Sequence, residues 1–285
     1  MASLAYTETL GGATTSGTTI TAHADAHAKG SYTSLGTSTA ASAFISVVID
    51  TASAQNRAYL VDIAADPAGG TTYVDFVQNI PYAYASSGQS NPAVVVPIPI
   101  ELASGTQFAA RCQSSTGAAT VKVHLVLYAG STAFTVTFVE TLGADVTTSR
   151  GQAVDPGGTA STKGAWVQLV ASSAGAADYL VPVVLVQPAQ AVANGALIWL
   201  DVGTGAALSE VVKAGNVQVQ EDLGEARHVL GGPLQVDIPT AVRVAARAQS
   251  TSTGLGRREM DVAVVAFVKS ARPLIHPGMA GGMRG

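Results

Sequence analysis

The amino-acid sequence predicts an all-β molecule made of two tandem antiparallel β-sandwich domains, jelly-roll-like and derived from an internal duplication. Its apolar runs are short and rich in β-branched residues, and clusters of Gly, Ser, Thr, Pro and Asn separate them, as is typical of strands joined by turns. Helical patterns of comparable clarity are absent, and the best candidate, residues 207–213, is too short to stand alone as a helix. The third observation is a repeat of domain length.

The repeat is clearest in residues 97–115, which return without a gap as residues 233–251 at an offset of 136. Six of the nineteen positions are identical, and five more exchange similar residues. A period this long exceeds the roughly 20 to 50 residues of a solenoid unit and matches the size of a whole domain. Shorter landmarks recur in the same order, namely residues 6–11 with 138–143, 29–32 with 163–166, 56–62 with 194–201, and 121–131 with 260–270.

These landmarks divide the chain into three parts. We predict one β-sandwich domain at residues 1–131, a second at residues 132–271, and an irregular tail rich in Gly, Met and Pro at residues 272–285. The tail has no apolar periodicity, so it is either a frayed end or an arm that becomes ordered on a neighbouring protein.

Six strands of typical length are clearest in the first domain. They are residues 43–50, 58–64, 73–77, 93–100, 107–113 and 121–128. In residues 121–128 apolar positions alternate with more polar ones, which is the pattern of a strand buried on one face. Pro97 and Pro99 lie two residues apart, so both missing N–H groups are on one side of the chain, and this predicts an edge strand.

The composition excludes several classes of function. Of the 285 residues, 47% are apolar and 12% are charged, and the net charge is −4 without a basic cluster, so we expect no nucleic-acid partner. No apolar run reaches the roughly 18 to 20 residues that cross a bilayer, so we expect no membrane insertion. The first residues lack the basic and apolar regions of a signal peptide, which predicts synthesis in the cytoplasm.

A surface with so few charges is unusual for a free monomer. It predicts a protein that works inside an assembly, as a homo-oligomer, although a genome rich in G and C would also enrich Ala and Gly.

Candidate metal and thiol sites are weak. His23, Asp25 and His27 have the spacing of ligands on one strand face, but their segment is Gly- and Thr-rich and is not retained in the second domain, so we interpret it as a solvated loop. Cys112 is the single cysteine, and Ala248 replaces it in the second domain, which indicates a small buried apolar position. We predict no metal and no cofactor.

Arg111 and Arg247 are retained within the same Ala-Ala-Arg-x-Gln-Ser frame. One interpretation is a polar binding face that each domain presents once, because the Arg and the Gln two residues later share a strand face. The interpretation we favour is structural. It pairs Glu101 with Arg111 and Asp237 with Arg247 across the intervening turn.

Tyr73, Tyr82 and Tyr84 are the candidate surface-binding aromatics, since sugar-binding modules present such platforms. The plainer interpretation is that they pack under a long loop at residues 71–86 with wet hydroxyls. There is no Gly-x-Ser-x-Gly elbow and no phosphate-binding glycine loop, and we identify no catalytic residue. The sequence therefore predicts a protein that is not an enzyme.

The strand–turn–strand unit at residues 97–115 resembles one that recurs in structural proteins of tailed-bacteriophage virions. There, an apolar strand ending in an acidic residue runs through a Gly-Thr turn into an Ala-Ala-Arg-x-Gln-Ser-Ser strand. The first domain fits this pattern at Glu101, at the turn Gly105-Thr106 and at residues 109–115, whereas the second has Ala241-Val242 at the turn. The resemblance covers about twenty residues per domain.

The resemblance implies a non-enzymatic phage virion structural protein: a capsid decoration, collar, neck or tail-surface subunit located in the virion and bound to copies of itself and to other virion proteins. The alternative is a carbohydrate-binding receptor-recognition module, an adhesin of a tail fibre or baseplate, with a host glycan as its partner. A glycan-cleaving enzyme is a third and weaker hypothesis.

We expect the tail to act in assembly rather than in folding. Ordering a Gly-rich segment costs roughly 1 to 2 kcal/mol per residue, which only contacts with a partner would offset. Deleting the residues after Ser270 should therefore leave the melting temperature of the isolated protein within about two degrees of the parent value while lowering oligomer formation. A strongly destabilised monomer would instead place the tail within the fold.

Overall fold

The computed structural model describes residues 4–12, 16–52, 56–84, 93–130, 132, 134–186, 196–222, 225–228, 233–251 and 260–270. Within these residues nineteen strands form four antiparallel sheets, and no helix occurs. The predicted fold class, an all-β molecule of sandwich-like sheets, is confirmed. Residues 207–208, in the weak helical candidate, form part of a turn that leads into a strand.

The N-terminal half contains nine of the described strands. They are β1 (Leu4–Leu10), β2 (Thr18–Thr21), β3 (Thr33–Thr37), β4 (Phe44–Ala52), β5 (Arg57–Asp66), β6 (Val74–Tyr84), β7 (Val94–Ile98), β8 (Gln107–Ser114) and β9 (Thr120–Gly130). Sheet I has the order β1-β9-β4-β7, with β2 also paired to β9, and sheet II has the order β3-β8-β5-β6.

The C-terminal half contains the other ten described strands. They are β10 (Thr135–Leu142), β11 (Gln152–Val154), β12 (Val167–Val170), β13 (Ala177–Val186), β14 (Ala196–Thr204), β15 (Val211–Asp222), β16 (Glu225–His228), β17 (Leu234–Ile238), β18 (Val244–Ser250) and β19 (Met260–Ser270). Sheet III has the order β10-β19-β13-β17, with β11 also paired to β19, and sheet IV has the order β12-β18-β14-β15-β16.

The two halves have the same strand order, apart from the additional strand β16. Their irregularities coincide as well, since the register shift between Tyr6 and Glu8 on β1 recurs between Phe138 and Glu140 on β10. Every strand pair among the described residues joins strands of the same half. Descent from one duplicated domain, and the boundary between residues 131 and 132, stay predictions.

The core of the N-terminal half lies between sheets I and II. Alternate side chains of β4 and β9 point into it, because successive residues of a strand face opposite sides. The buried positions are Ile45, Val47, Ile49, Val121, Val123, Leu125 and Leu127 from sheet I, and Tyr59, Val61, Ile63, Phe108, Ala110 and Cys112 from sheet II. Burying each large aliphatic or aromatic side chain contributes about 1.5 to 3 kcal/mol, which makes this packing the main source of stability.

Tyr82 belongs to this core. Its side chain is 1% exposed, its ring lies 6.2 Å from that of Tyr59, and its hydroxyl donates a hydrogen bond to the carbonyl of Asp50. The prediction that Tyr82 is a surface-binding aromatic is therefore wrong. The expected loop at residues 71–86 is mostly strand, because β6 continues through Pro81 to Tyr84.

The proline-containing strand β7 lies at the end of sheet I, next to β4. This confirms the edge position that Pro97 and Pro99 predict.

The turn after this strand contains a residue with a left-handed backbone in both halves. Gly105 has a φ of +84°, and Ala241 occupies the equivalent position with a φ of +58°.

Sheet III differs from sheet I in being buried on both faces. One face of β13 and β19 packs on sheet IV, through residues such as Leu180, Val184 and Val264. The opposite face carries Tyr179, Val181, Val183, Leu185, Val265 and Phe267, and these side chains join the core of the N-terminal half. The contacts come from β6 and β7, so an edge of the first half packs on a face of the second.

Polar contacts fix the same junction from one side. Gln113 of β8 donates from Nε2 to the carbonyl of Val146 at 2.7 Å and to Ser149 Oγ at 2.9 Å. His27 Nδ1 also lies 2.9 Å from Ser149 Oγ. The loop before β11 is thereby attached to the outer face of sheet II.

None of the described segments is a helix long and apolar enough to cross a membrane. The predicted tail at residues 272–285 and the side chain of Tyr84 lie outside the described residues.

A charge introduced on the outer face of sheet III should destabilise the protein more than the same charge on the outer face of sheet I. Val183→Asp puts a carboxylate at a fully buried position of β13, and it should lower the free energy of unfolding by at least about 3 kcal/mol in urea titrations. Val48→Asp is the matched control, because Val48 occupies the equivalent register position of β4, where the outer face of sheet I is only partly buried. Equal losses in the two variants would contradict the packing of sheet III on the N-terminal half.

Candidate functional site

Two matched clusters of charged and aromatic side chains lie on the outer faces of sheets II and IV. In the first, Asp62 of β5 is buried, with its side chain 2% exposed. Lys29 Nζ lies 2.5 Å from its Oδ1, and Arg111 Nε lies 2.9 Å from its Oδ2. The backbone N–H of Asn79 donates to Oδ1 as well, at 2.8 Å. Asp62 and Arg111 are direct cross-strand partners, so the sheet register itself places the cation beside the carboxylate.

A second carboxylate completes this N-terminal cluster. Arg111 Nη2 donates to Asp75 Oδ2 at 2.7 Å, and the hydroxyl of Tyr32 donates to Asp75 Oδ1 at 2.6 Å. The guanidinium of Arg111 lies over the Tyr32 ring, 4.5 Å from its centre, in a cation–π contact. Two cations thus meet two carboxylates, and the cluster is neutral.

The C-terminal cluster repeats the arrangement around Asp201 of β14. Lys163 Nζ lies 2.8 Å from its Oδ1, the N–H of Asn216 donates to the same oxygen at 2.9 Å, and Arg247 Nε donates to Oδ2 at 3.0 Å. Arg247 lies over the ring of Trp166, again 4.5 Å from its centre. Asn79 and Asn216 both have a positive φ, of +57° and +53°, which turns their N–H groups toward the carboxylates.

The clusters differ at three positions that lie next to one another. The pair Ala64 and Asp75, matched across β5 and β6, becomes Gly203 and Val212 across β14 and β15, and Tyr32 becomes Trp166. A Cβ at Gly203 would lie 2.8 Å from Cη2 of Trp166, so the larger indole requires the glycine. The indole has no hydroxyl to donate to a carboxylate, and Val212 needs no donor. The C-terminal cluster keeps two cations but a single carboxylate.

Burial and the neighbouring polar groups both move the pKa values of Lys29, Tyr32 and Asp201. Burial lowers the pKa of Lys29, although Asp62 opposes the change. Burial raises the pKa of Tyr32, and the hydrogen bond to Asp75 raises it further. For Asp201, burial favours the neutral form, but hydrogen bonds from Lys163, the Asn216 amide and Arg247 outweigh it and hold its pKa below the ordinary value.

The chemistry of the N-terminal cluster is that of a structural ion-pair network. Its carboxylates are bonded to cations, and Arg111 has an acceptor at Nε and at Nη2. Such a network holds β5, β6 and β8 together on a face that the core does not reach. The single thiol stands apart from it. Cys112 is fully buried and burial raises its pKa to about 12, which confirms the predicted small apolar position.

The predicted ion pairs are corrected by this geometry. Arg111 pairs with Asp62 and Asp75 in place of Glu101, which is exposed and lines a surface cleft with Ser42 and Leu102. Arg247 pairs with Asp201 in place of the exposed Asp237. The reason is that the acidic residues at 101 and 237 precede the turn, on or next to strands of sheets I and III, whereas the arginines lie on sheets II and IV.

The correct partners were visible among the repeated landmarks. Asp62 and Asp201 end one matched pair of segments, and Lys29 and Lys163 begin another. Retention of a lysine, an aspartate and an arginine at three separate landmarks is the signal that would have predicted both clusters.

The remaining candidate residues lie elsewhere. Tyr73 is half-buried, and its ring lies 5.3 Å from that of Tyr32 at the edge of the N-terminal cluster. His23 and Asp25 are exposed and lie close together, with 3.4 Å between Nδ1 and Oδ2, whereas His27 contacts Ser149 across the junction. The structure therefore does not bring the two histidines to one strand face.

Comparisons with known proteins give little guidance. No protein-family model matches the chain, and no curated protein matches it. Among solved structures, that of PNGF-II in a C2 space group is similar, with 8% sequence identity and a TM-score of 0.29 over 82% of this chain. The chain spans 59% of the length of that protein. A similarity this weak carries no argument about fold or function.

The fit between Gly203 and Trp166 is testable by a double-mutant cycle. Gly203→Ala should lower the free energy of unfolding by about 1 to 3 kcal/mol, because the added methyl group meets the indole. Combining it with Trp166→Tyr, which restores the residue found at Tyr32, should recover part of that loss. Recovery should be incomplete, since the carbonyl of Val211 also lies 2.9 Å from the added methyl group. Strict additivity in thermal or urea unfolding would contradict the coupling.

Proposed function

We propose that this chain is a non-enzymatic structural protein of a tailed-bacteriophage virion, which acts by packing its β-sheet faces against other protein subunits. The observation that carries the proposal is the contrast between two equivalent faces. The outer face of sheet III is covered by the N-terminal half, whereas no described strand packs on the outer face of sheet I, which we call the open face.

The open face of sheet I has the character of a protein contact. Near one end of this face, Tyr128 of β9 has the rings of Phe44 and Tyr6 at 5.8 Å and 6.4 Å in edge-to-face geometry, and the three form an aromatic cluster. Tyr6 is 62% exposed, and Val95 on the adjoining edge strand is 40% exposed. Clustered exposed aromatic and aliphatic side chains mark interaction surfaces, and aromatic residues contribute most to binding energy at such surfaces.

We assign a second copy of the chain as the occupant of this face. The chain already contains one contact of the same kind, in which a sandwich edge packs on the equivalent face of sheet III. Repeating that contact between copies gives a head-to-tail interface, which closes into a ring or extends as a filament. The virion part of the proposal rests on the resemblance of residues 97–115 to phage structural proteins, and on the low charge of the chain.

A carbohydrate-binding function is the second candidate. The half-buried pair of Tyr32 and Tyr73 beside Arg111 is the observation that favours it, since aromatic rings and charged donors recur in sugar sites. In the N-terminal cluster, however, Arg111 and the hydroxyl of Tyr32 are already engaged by Asp75.

Sedimentation velocity over a wide concentration range tests the assembly proposal. The protein should self-associate, and Tyr6→Ser combined with Tyr128→Ser should weaken the association at least tenfold, because the double variant removes two of the three rings of the aromatic cluster on the open face. Tyr73→Ser is the control, since it changes an aromatic residue outside that face. Genes for capsid, portal or tail proteins next to this one would support the virion assignment.

A monomer at every concentration would overturn the assignment of a second copy to sheet I. Binding to a glycan array that Tyr73→Ser abolishes would favour the carbohydrate-binding alternative.

A further inference from the structure

The C-terminal cluster contains an arginine with free donors. In the N-terminal cluster, Arg111 uses Nε for Asp62 and Nη2 for Asp75. Arg247 keeps the first of these bonds, to Asp201, but Val212 stands where the second carboxylate would be. Among the described residues, Nη1 and Nη2 of Arg247 have no hydrogen-bond acceptor.

These free donors are accessible and positively charged. The side chain of Arg247 is 29% exposed, and Val212 beside it is 43% exposed. Lys163 and Arg247 share the single carboxylate of Asp201, so the cluster carries one uncompensated positive charge. The cation–π contact with Trp166 fixes the plane of the guanidinium, and a fixed guanidinium presents two donors in the geometry that a carboxylate accepts.

We infer that the C-terminal cluster is a receptor for a carboxylate supplied from outside the chain. The N-terminal cluster shows the bound state, because the carboxylate of Asp75 occupies the equivalent place on Arg111. The occupant is an Asp or Glu side chain of another protein subunit, and this part of the inference rests on the proposed function in assembly.

The surroundings favour a protein side chain over the acid group of a sugar. Val212, which is 43% exposed, and the indole of Trp166 place apolar surface beside the guanidinium of Arg247. Apolar residues around one charged group are the arrangement found in protein interfaces. A sugar ring would need an open aromatic face, and one face of Trp166 is already covered by Arg247.

Titration with sodium acetate, followed by NMR at constant ionic strength, tests the receptor. Trp166 and Trp199 are the two tryptophans of the chain, so the indole N–H region of the spectrum is simple to assign. Acetate should shift the signals of the Trp166 indole and the Arg247 Nε group in a saturable way. The shifts should vanish in Val212→Asp, which supplies the carboxylate internally. They should persist in Val212→Asn, because asparagine has the shape of aspartate without its charge.

The N-terminal cluster provides the reciprocal experiment. Asp75→Val should free Nη2 of Arg111 and create a saturable acetate response at Arg111 that the parent protein lacks. Thermal melting of each variant verifies that it is folded. This readout is independent of self-association, because acetate reports on the site alone.

Two results would overturn the inference. If acetate gives no saturable shift at Arg247, or if Val212→Asp leaves the shift unchanged, Arg247 is not a receptor for carboxylates. If glucuronate binds at least tenfold more tightly than acetate, the occupant is an acidic sugar and the assignment to a protein side chain is wrong.

Discussion

Asp62 of β5 and Asp201 of β14 are buried carboxylates on the outer faces of sheets II and IV, and the charged clusters around them depend on the need to stabilise these two charges. An ionised Asp62 or Asp201 is tolerated away from water only when cations and N–H donors surround it. That requirement explains why a lysine and an arginine recur in both halves, and why Asn79 and Asn216 adopt a left-handed backbone to donate their N–H groups. Removing the lysine or the arginine would deprive the buried carboxylate of a partner that stabilises its charge.

The junction between the halves imposes a different requirement, because it makes equivalent sheets chemically unequal. Sheet III carries apolar residues on both faces, as a buried layer must, whereas the outer face of sheet I mixes Phe44 and Val48 with Ser46 and Asp50. The same asymmetry affects the clusters. The N-terminal one is internally neutral, and the C-terminal one exchanges a carboxylate and a hydroxyl for Val212 and an indole. The two halves share a scaffold and differ in what their surfaces offer.

Strands and edges could be predicted from the sequence because both depend on local signals. Period-two alternation gives β9, and the spacing of two prolines gives the edge position of β7. The partner of Arg111 could not be predicted in this way, because Asp62 lies 49 residues away and meets it through the register of β5 and β8. The sequence misplaces Tyr82 because Pro81, next to it, makes the long strand β6 resemble a loop. The partner of each arginine can be predicted only when the repeated segments are compared, because a lysine and an aspartate then recur together with the arginine.

The turns at Gly105 and Ala241 have different residues but the same conformation, so comparing the turn residues of the two halves is misleading. Ser38 accepts a hydrogen bond from the N–H of Gly105 and donates its own N–H to Thr106, and Ser173 does the same for Ala241 and Val242. Each serine hydroxyl also bonds the carbonyl of the residue two positions before the turn glycine or alanine. These bonds from a serine distant in sequence fix the bend, so the turn residues themselves can vary in type. Relatives of this chain would be recognised more reliably by the anchoring serine than by the Gly-Thr pair it holds.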